Sequence, residues 1–381
     1  MSQLIRVVVV DDSALMRRVI AGMLEQDPGI RVVGAARNGR EAIDLVKTLR
    51  PDIVTMDVRM PVMDGLATTE HLMAYCPTPI LVVTASLAKH EVDITFKMLG
   101  AGALEVFEKP SAASPLELER AGRALIRRVK VLARVSVVTH LRGRRRSSTS
   151  LEPATGEKEP RGQRNKEREK PPSPPASAGA ADFPLVVIGA STGGPRAVYQ
   201  VLAELPRDLP AAILIVQHIA AGFSPGMAEW LAHASQLPVA LAREGQPIRA
   251  GEILVAPDQC DLLITGERTV HLSANPLLIQ RPSIDIAMQA AAEVFGARAL
   301  GVLLTGMGRD GAYGMLTISR RGGHTIAQDE ASSTIFGMPR AAIQLGAARE
   351  VLPVTRIGRR LVELLAESYR PATLQANGGP R

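Results

Sequence analysis

A serine lies in a glycine-rich turn near the middle of the chain, directly after a run of large apolar residues. Residues 185–194 read LVVIGASTGG, and the β-branched apolar residues predict a buried strand that ends just before Ser191. Pro195 follows, as is common in the first turn of a helix. Such a serine presents its hydroxyl at the carboxyl end of a sheet, and residues 189–193 match the G-x-S-x-G nucleophile pattern. The same turn could instead cradle a phosphate or simply connect two elements.

Two further side chains could complete a hydrolytic site with Ser191. His218 and Asp310 each follow a predicted buried strand, so in a mostly parallel sheet all three side chains would meet at one edge. A serine hydroxyl is a weak nucleophile until an imidazole accepts its proton and a carboxylate orients that imidazole. The chain order Ser, His, Asp differs from the Ser, Asp, His order of α/β-hydrolases. The pattern alone leaves rivals open, which are His233, His271 and His324 for the base and Asp285 and Asp329 for the carboxylate.

A second group of reactive residues lies in the first third of the chain, again at predicted strand ends. Asp11, Asp12 and Asp57 would bring three carboxylates to one sheet edge, where they repel each other unless a cation lies among them. Carboxylate oxygens suit Mg²⁺. One carboxylate beside Mg²⁺ could attack a phosphoryl donor, while Thr84 and Lys109 contact the phosphoryl oxygens. Each aspartate alone could merely cap a helix, but the five residues at these spacings favour phosphoryl transfer.

The elements that would position both groups alternate between strand and helix patterns. This alternation predicts an α/β chain with two doubly wound, mostly parallel-sheet domains, the first flavodoxin-like and the second with a mixed β edge near residues 246–272. We expect the domains at 1–136 and 183–370, a Pro- and Arg-rich flexible linker at 137–182 and a flexible tail at 371–381. The linker has almost no large apolar residue, so it cannot bury enough surface to offset its ordering entropy.

Composition excludes several classes of protein. The net charge is +7, but residues 142–170 hold ten Lys or Arg against five Glu, so the excess lies largely in the linker and not on a nucleic-acid-binding face. Aromatic residues make up 3% of the chain, which argues against base-stacking platforms. Cys76 and Cys260 fall in different predicted domains and form no disulfide or metal pattern. With no membrane-spanning apolar run and no room for a secretory signal before the first strand, we expect a cytoplasmic protein without membrane insertion.

The motifs of the first half resemble those of response-regulator receiver domains. The matching stretches are VVVVDDSALMR, VTMDVRMPVMDGL, ILVVTAS and FEKP. The resemblance implies that Asp57 is the phosphoacceptor and that Asp11 and Asp12 bind Mg²⁺ together with it. It also implies that Thr84 and Lys109 are the switch residues, and that the partner is a sensor histidine kinase.

One position departs from the receiver pattern. Receivers usually carry an aromatic switch residue three positions before the lysine, and here that position is Val106. Phe107 stands two positions before the lysine. Whether Phe107 takes the place of the usual aromatic residue is left open by the sequence.

The motifs of the second half resemble the catalytic domain of chemotaxis protein-glutamate methylesterases. They are IGASTGGP, IVQHI, ILVAP, RPSID, LLTGMGRDGA and QDEASSTIFGMPRAA. The resemblance implies hydrolysis of glutamyl methyl esters on methyl-accepting chemoreceptors, deamidation of receptor glutamines, no cofactor in this domain, and a monomer. It further implies that Ser191 is the nucleophile, His218 the base and Asp310 its orienter. Main-chain N–H groups of Met307 and His218 would form the oxyanion hole, and Thr192 would support the site.

Two other functions remain open from the residues alone. The second half could bind a nucleotide or a partner without catalysis, or it could regulate transcription. Against nucleotide binding, GASTGG has no Walker lysine, and Ser191 stands where the second glycine of G-x-G-x-x-G would be. Against transcription, there is no helix-turn-helix pattern and no basic recognition helix. The resemblance further implies that the receiver obstructs the Ser191 edge until Asp57 is phosphorylated, with docking weakened by the long linker.

Overall fold

The computed structural model describes residues 4–85, 89–110, 114–137, 183–274 and 281–368. Its two main sheets are parallel and flanked by helices, which confirms the predicted α/β fold class. We call residues 4–137 the first domain and residues 183–368 the second domain. Almost all of the predicted linker and the whole predicted tail lie outside the described residues, and the domain bounds 1–136 and 183–370 stay proposals.

Within the described ranges, the first domain is a five-stranded parallel sheet in the order β2-β1-β3-β4-β5. Its strands are β1 (Ile5–Val10), β2 (Ile30–Ala36), β3 (Ile53–Met56), β4 (Ile80–Thr84) and β5 (Glu105–Glu108). Its helices are α1 (Ala14–Leu24), α2 (Gly39–Leu49), α3 (Gly65–Tyr75), α4 (Lys89–Ala101) and α5 (Pro115–Leu132). The valines of β1 are buried because helices cover both faces of the sheet. The strand order reverses between β1 and β3, which opens a crevice at their carboxyl ends.

The second domain contains a seven-stranded sheet in the order β14-β13-β12-β6-β7-β9-β8. Its strands are β6 (Leu185–Ala190), β7 (Ala212–Gln217), β8 (Val239–Leu241), β9 (Ile253–Val255), β12 (Ala299–Leu303), β13 (His324–Gln328) and β14 (Glu350–Leu352). The helices are α6 (Gly194–Ala203), α7 (Ser224–Leu231), α8 (Ile284–Phe295), α9 (Ala312–Arg320), α10 (Met338–Gln344) and α11 (Val354–Ser368). In the part of the chain that the structure describes, no helix combines the length and apolar character needed to cross a bilayer.

Among the described residues of the second domain, antiparallel strand pairing occurs in a separate hairpin, with one isolated antiparallel bridge between Pro247 and Thr269. Strands β10 (Asp261–Ile264) and β11 (Val270–Ser273) pair with each other, whereas β8 and β9 join the main sheet in parallel. The mixed pairing expected near residues 246–272 is therefore a hairpin beside a parallel edge. The hairpin supports α8, because the amide of Ser283 donates to Asp261 Oδ1 at 2.9 Å and the Ser283 side chain caps the helix.

The two domains contact each other through α4 of the first and α7 of the second. Trp230 stacks on Phe96 with ring centroids 5.6 Å apart, and it lies 4.6 Å from the ring of Tyr199. Val92 packs directly over Gly226, a position of α7 that has no side chain. These contacts merge the apolar cores of the two domains into one cluster, so the domain contact is a packed interface.

We predict that Gly226→Ala separates the domains. An alanine Cβ there would overlap Val92 Cγ1, while alanine favours the helix itself, so each domain should stay folded. Small-angle X-ray scattering should then report a larger radius of gyration than for the wild type. Adding Val92→Ala removes the overlapping methyl group and should restore the compact form.

Gly100→Ala is the matched control for this experiment. It adds a methyl group at the same interface, but at an ordinary contact distance of 3.8 Å from Trp230 Cζ2. This variant should scatter like the wild type. If Gly226→Ala is as compact as the wild type, the domains do not pack in solution as described above.

Candidate active site

The register of β6 against β7 places Ser191 beside His218. Ala190 pairs with Gln217, so the two residues that follow are neighbours at the carboxyl edge of the sheet. The amide of Ser191 donates to the carbonyl of Thr305 at 3.0 Å, which ties the turn to the end of β12 as well. β6 has β7 on one side and β12 on the other, and the chain winds away from it in both directions. Ser191 therefore lies at the point of the sheet where ligands usually bind.

Asp310 fixes the ring of His218. In the loop after β12, Asp310 Oδ2 accepts a hydrogen bond from His218 Nε2 at 2.8 Å and another from the amide of Ile284 at 2.8 Å. Its Oδ1 accepts from the amide of Asp285 at 3.0 Å and from Ser283 Oγ at 3.1 Å. Burial alone would raise the pKa of Asp310, but the hydrogen bond and charge attraction from His218, with the amide donors, outweigh it and lower that pKa. The carboxyl therefore stays ionised at neutral pH.

The orientation of the ring decides which nitrogen faces the serine. Because Nε2 of His218 is held by Asp310, Nδ1 is the nitrogen left to accept a proton from Ser191. Within the described ranges, the Ser191 hydroxyl makes no hydrogen bond. The hydrogen bond from Ser191 Oγ to His218 Nδ1 that proton transfer requires is therefore not formed in this state. This arrangement is the reverse of the usual serine protease, in which Nδ1 faces the carboxylate.

The rival histidines and carboxylates have other partners. His271 contacts Glu244, and His324 contacts Glu350. Asp285 accepts from the amide of Gly314 at 2.7 Å, and burial raises its pKa to about 6. Asp329 accepts from the hydroxyl of Ser332, and no contact of His233 with the site is found among the described residues. The geometry therefore favours Ser191, His218 and Asp310 over these alternatives.

Gln217 is a residue of the site that the sequence analysis missed. Its side-chain Nε2 donates to the carbonyls of Ser191 and His218, both at 2.8 Å, and so ties the two backbone segments together. Gly194 makes room for it, because any Cβ there would overlap Gln217 Oε1. The available signal was a single amide side chain at the end of the otherwise apolar strand AILIVQ.

One of the two expected oxyanion donors is engaged elsewhere. The amide of His218 donates to the carbonyl of Ala190 at 3.0 Å, because the ladder between β6 and β7 continues one residue beyond the strands. The expectation that this N–H group is free for an oxyanion is therefore wrong for this state. Among the described residues, no carbonyl accepts from the amide of Met307, so that donor stays available. Gly306 allows the close approach, since a Cβ there would lie 2.7 Å from Ser191 Cβ.

Thr192 connects the site to the first domain. Its hydroxyl donates to Glu105 Oε2 at 2.8 Å, and the other carboxylate oxygen of Glu105 accepts from Arg128 Nε at 2.7 Å. The carbonyl of Thr192 accepts from Thr305 Oγ1 at 2.9 Å. The two domains enclose a cavity of about 460 Å³ that includes Ser191 on its wall. Glu105 could not be found from sequence, since it lies far away in the chain and belongs to no hydrolytic pattern.

The carboxylates of the first domain also lie together. Asp11, Asp12 and Asp57 each have a carboxylate oxygen within 4.8 Å of the others, and Lys109 Nζ lies 2.7 Å from Asp11 Oδ2 and 2.8 Å from Asp57 Oδ2. Burial raises the pKa of Asp57 to about 6, although Lys109 and the amide of Val58 oppose that shift. Burial lowers the pKa of Lys109, but its two carboxylate partners outweigh burial and raise it. Three oxygen donors at this spacing fit a Mg²⁺ ion.

The remaining switch positions lie at the same edge. Thr84 is buried at the end of β4, and its carbonyl accepts from the amide of Lys109 at 2.8 Å. Val106 belongs to the core that faces the second domain, whereas Phe107 packs on the opposite face of β5 beneath Arg128. Successive residues of a strand point to opposite faces, so Phe107 does not take the place of an aromatic residue at 106.

Comparisons with known proteins find a family match for each of the two domains. The response regulator receiver domain family matches residues 7–119, and the CheB methylesterase family matches residues 186–361. Protein-glutamate methylesterase/protein-glutamine glutaminase 2 of Anaeromyxobacter dehalogenans is 45% identical, over 94% of this chain and 97% of that protein. The protein-glutamate methylesterase/protein-glutamine glutaminase of Symbiobacterium thermophilum is 39% identical, over 95% and 98%. The catalytic domain of the Thermotoga maritima CheB methylesterase, a crystal structure, is 35% identical with a TM-score of 0.46 and covers 48% of this chain and 98% of that one. This chain belongs to the family of protein-glutamate methylesterases/protein-glutamine glutaminases that carry a response-regulator receiver domain.

Proposed function

We propose that this protein is a phosphorylation-regulated serine hydrolase that removes methyl esters from glutamyl side chains of chemoreceptors during adaptation, and that also deamidates receptor glutamines. It would act as a monomer in the cytoplasm. The observation that carries the proposal is the 2.8 Å hydrogen bond between His218 Nε2 and Asp310 Oδ2 beside Ser191. The names of the relatives, protein-glutamate methylesterase/protein-glutamine glutaminase, support the substrate class.

In the first half-reaction Ser191 is acylated. His218 Nδ1 takes the hydroxyl proton as Ser191 Oγ attacks the ester carbonyl carbon, while Asp310 holds Nε2–H and stabilises the imidazolium that forms. The Met307 amide donates to the oxyanion of the tetrahedral intermediate. Collapse of that intermediate breaks the bond to the methoxy oxygen, and the proton on Nδ1 leaves with methanol. A glutamine side chain would release ammonia by the same steps.

The second half-reaction restores the serine. Water in the cavity gives a proton to His218 Nδ1 as its oxygen attacks the acyl carbon, and the same proton then returns to Ser191 Oγ. The product is a free glutamate side chain. Gln217 contributes by holding the backbone carbonyls of Ser191 and His218, which keeps hydroxyl and ring at a fixed separation.

The first domain would receive the phosphoryl group on Asp57 from a chemotaxis sensor histidine kinase. Asp11, Asp12 and Asp57 would hold Mg²⁺, which supplies positive charge to the transferring phosphoryl oxygens. Lys109 must then exchange its contact with the Asp57 carboxylate for one with the new phosphoryl oxygens, and Thr84 lies beside it. Lys109 directly follows β5, the strand that begins with Glu105. Phosphorylation thereby acts on the strand that contacts Thr192.

Replacing Ser191 with alanine should lower methanol release from a Glu-methylated receptor by about 10⁴- to 10⁶-fold without loss of fold. His218→Ala should have a similar effect, because members of such a site act as a unit. Ser319→Ala, a second-domain hydroxyl outside the site, is the matched control and should behave as the wild type. Substantial turnover by Ser191→Ala would refute the assignment of the nucleophile.

Asp57→Asn should prevent labelling by a small phosphodonor with Mg²⁺, because the amide is not a nucleophile. Asp44→Asn changes an exposed aspartate of α2 and should be labelled normally. Labelling of Asp57→Asn would mean that another aspartate accepts the phosphoryl group.

A fragment that begins at Phe183 should release methanol faster than the unphosphorylated full-length protein, because the first domain covers the cavity at Ser191. Gly226→Ala should raise the unphosphorylated activity in the same way, and Val92→Ala in that background should reverse the gain. Shortening residues 141–182 should deepen the inhibition as long as the domains still reach each other. A fragment no faster than the whole would show that the first domain activates or recruits the enzyme instead of obstructing it.

A further inference from the structure

A second cavity, of about 290 Å³, borders the residues that follow Ser191. It has Gly193 in common with the cavity at the nucleophile. Its polar wall in the second domain includes the side chains of Arg196, Gln200, Thr334 and Thr355. Residues of the first domain, with Leu104 among them, close the other side.

Arg196 is half-buried in this wall, with no counter-ion among the residues that the structure describes. In the part of the chain that the structure describes, it makes neither an ion pair nor a hydrogen bond. Burial lowers the pKa of its guanidinium, and no carboxylate of the described ranges offsets that effect. Arg128 and Arg360, by contrast, each contact a glutamate. Because an unpaired cation is costly to remove from water, its place in the wall indicates a site that awaits an anion.

The groups around Arg196 add donors of the kind that an anion needs. Thr334, Thr355 and Gln200 make no side-chain hydrogen bond among the described residues, so their donors are available. Thr334 lies directly over Gly193, whose φ of 75° and lack of Cβ allow the close approach. The cavity also lies at the start of α6, where the cap residue supplies no side-chain hydrogen bond.

We propose that Arg196 forms a subsite for a carboxylate side chain of the same polypeptide substrate, a few residues from the methyl ester that reaches Ser191. The inference rests on the proposed function, since it assigns a flanking-residue preference to that reaction. Three features favour a substrate side chain. The two cavities share Gly193, the first domain covers both, and movement that exposes Ser191 also exposes Arg196. Guanidinium and carboxylate form strong charge-assisted pairs.

The test compares methyl-glutamyl peptides that carry either glutamate or glutamine at neighbouring positions, with the full-length protein kept phosphorylated. The wild type should prefer a glutamate-flanked peptide by roughly tenfold in kcat/KM, mainly through KM, as one charge-assisted pair would give. Arg196→Gln should bring this ratio to about one. Arg196→Lys should keep part of the preference, and Arg196→Glu should shift it to lysine-flanked peptides.

Two further measurements separate binding from a structural role. Arg207→Gln removes an exposed arginine of the same domain and should leave the ratio unchanged. The midpoint of thermal unfolding of Arg196→Gln should be no lower than that of the wild type, because the arginine has no partner to lose among the described residues. If the wild type hydrolyses no methyl ester, the proposed function fails and the subsite with it. If the wild type hydrolyses both peptides equally well, or if Arg196→Gln keeps the preference, the proposed function stands and the subsite is refuted.

Discussion

The alignment of β6 with its two neighbours is the constraint on which the site depends. Three parallel strands end together, and the residues that come next are a serine, a histidine and the loop that carries an aspartate. Ser191 and Asp310 are far apart in the sequence, and the sheet register is what brings them to the same edge. A slip of one residue between β6 and β7 would turn Ser191 or His218 to the opposite face. The Gln217 side chain reinforces this register where the ladder ends.

Each domain places a buried carboxylate at the carboxyl edge of its own parallel sheet, but the pKa values of the two carboxylates shift in opposite directions. Asp310 receives several amide donors and a histidine, which hold its pKa down and keep it ionised as a fixed partner. Asp57 is also buried, but its donors are fewer and Asp11 lies nearby, so its pKa rises to about 6. The first carboxylate is suited to orienting a base. The second is poised between charge states until a cation or a phosphoryl group compensates it.

Much of this architecture follows from local patterns in the sequence. Runs such as those of β1, β6 and β7 are apolar, short and β-branched, and the residues after them carry the chemistry, so both groups of site residues could be predicted. What the sequence left open depends on contacts between distant segments. The pairing of Glu105 with Thr192 crosses the domain interface, and the ring nitrogen that faces Asp310 is set by the loop after β12. Two further features could not be predicted from nearby sequence. They are the lack of an ion-pair partner for Arg196 among the described residues and the packing of Phe107 on the opposite face of β5.

The aromatic contact between the domains has a practical consequence. Trp230 is the only tryptophan in the chain, and it stacks on Phe96 across the interface. The indole fluorescence of the protein therefore comes from one place, the domain interface between α4 and α7. When the domains separate, the indole ring loses its apolar neighbour Phe96 and contacts water. This change shifts the fluorescence emission of the indole to longer wavelength. The protein thus contains its own optical reporter of domain separation, which needs no added dye and can be followed on the time scale of phosphorylation.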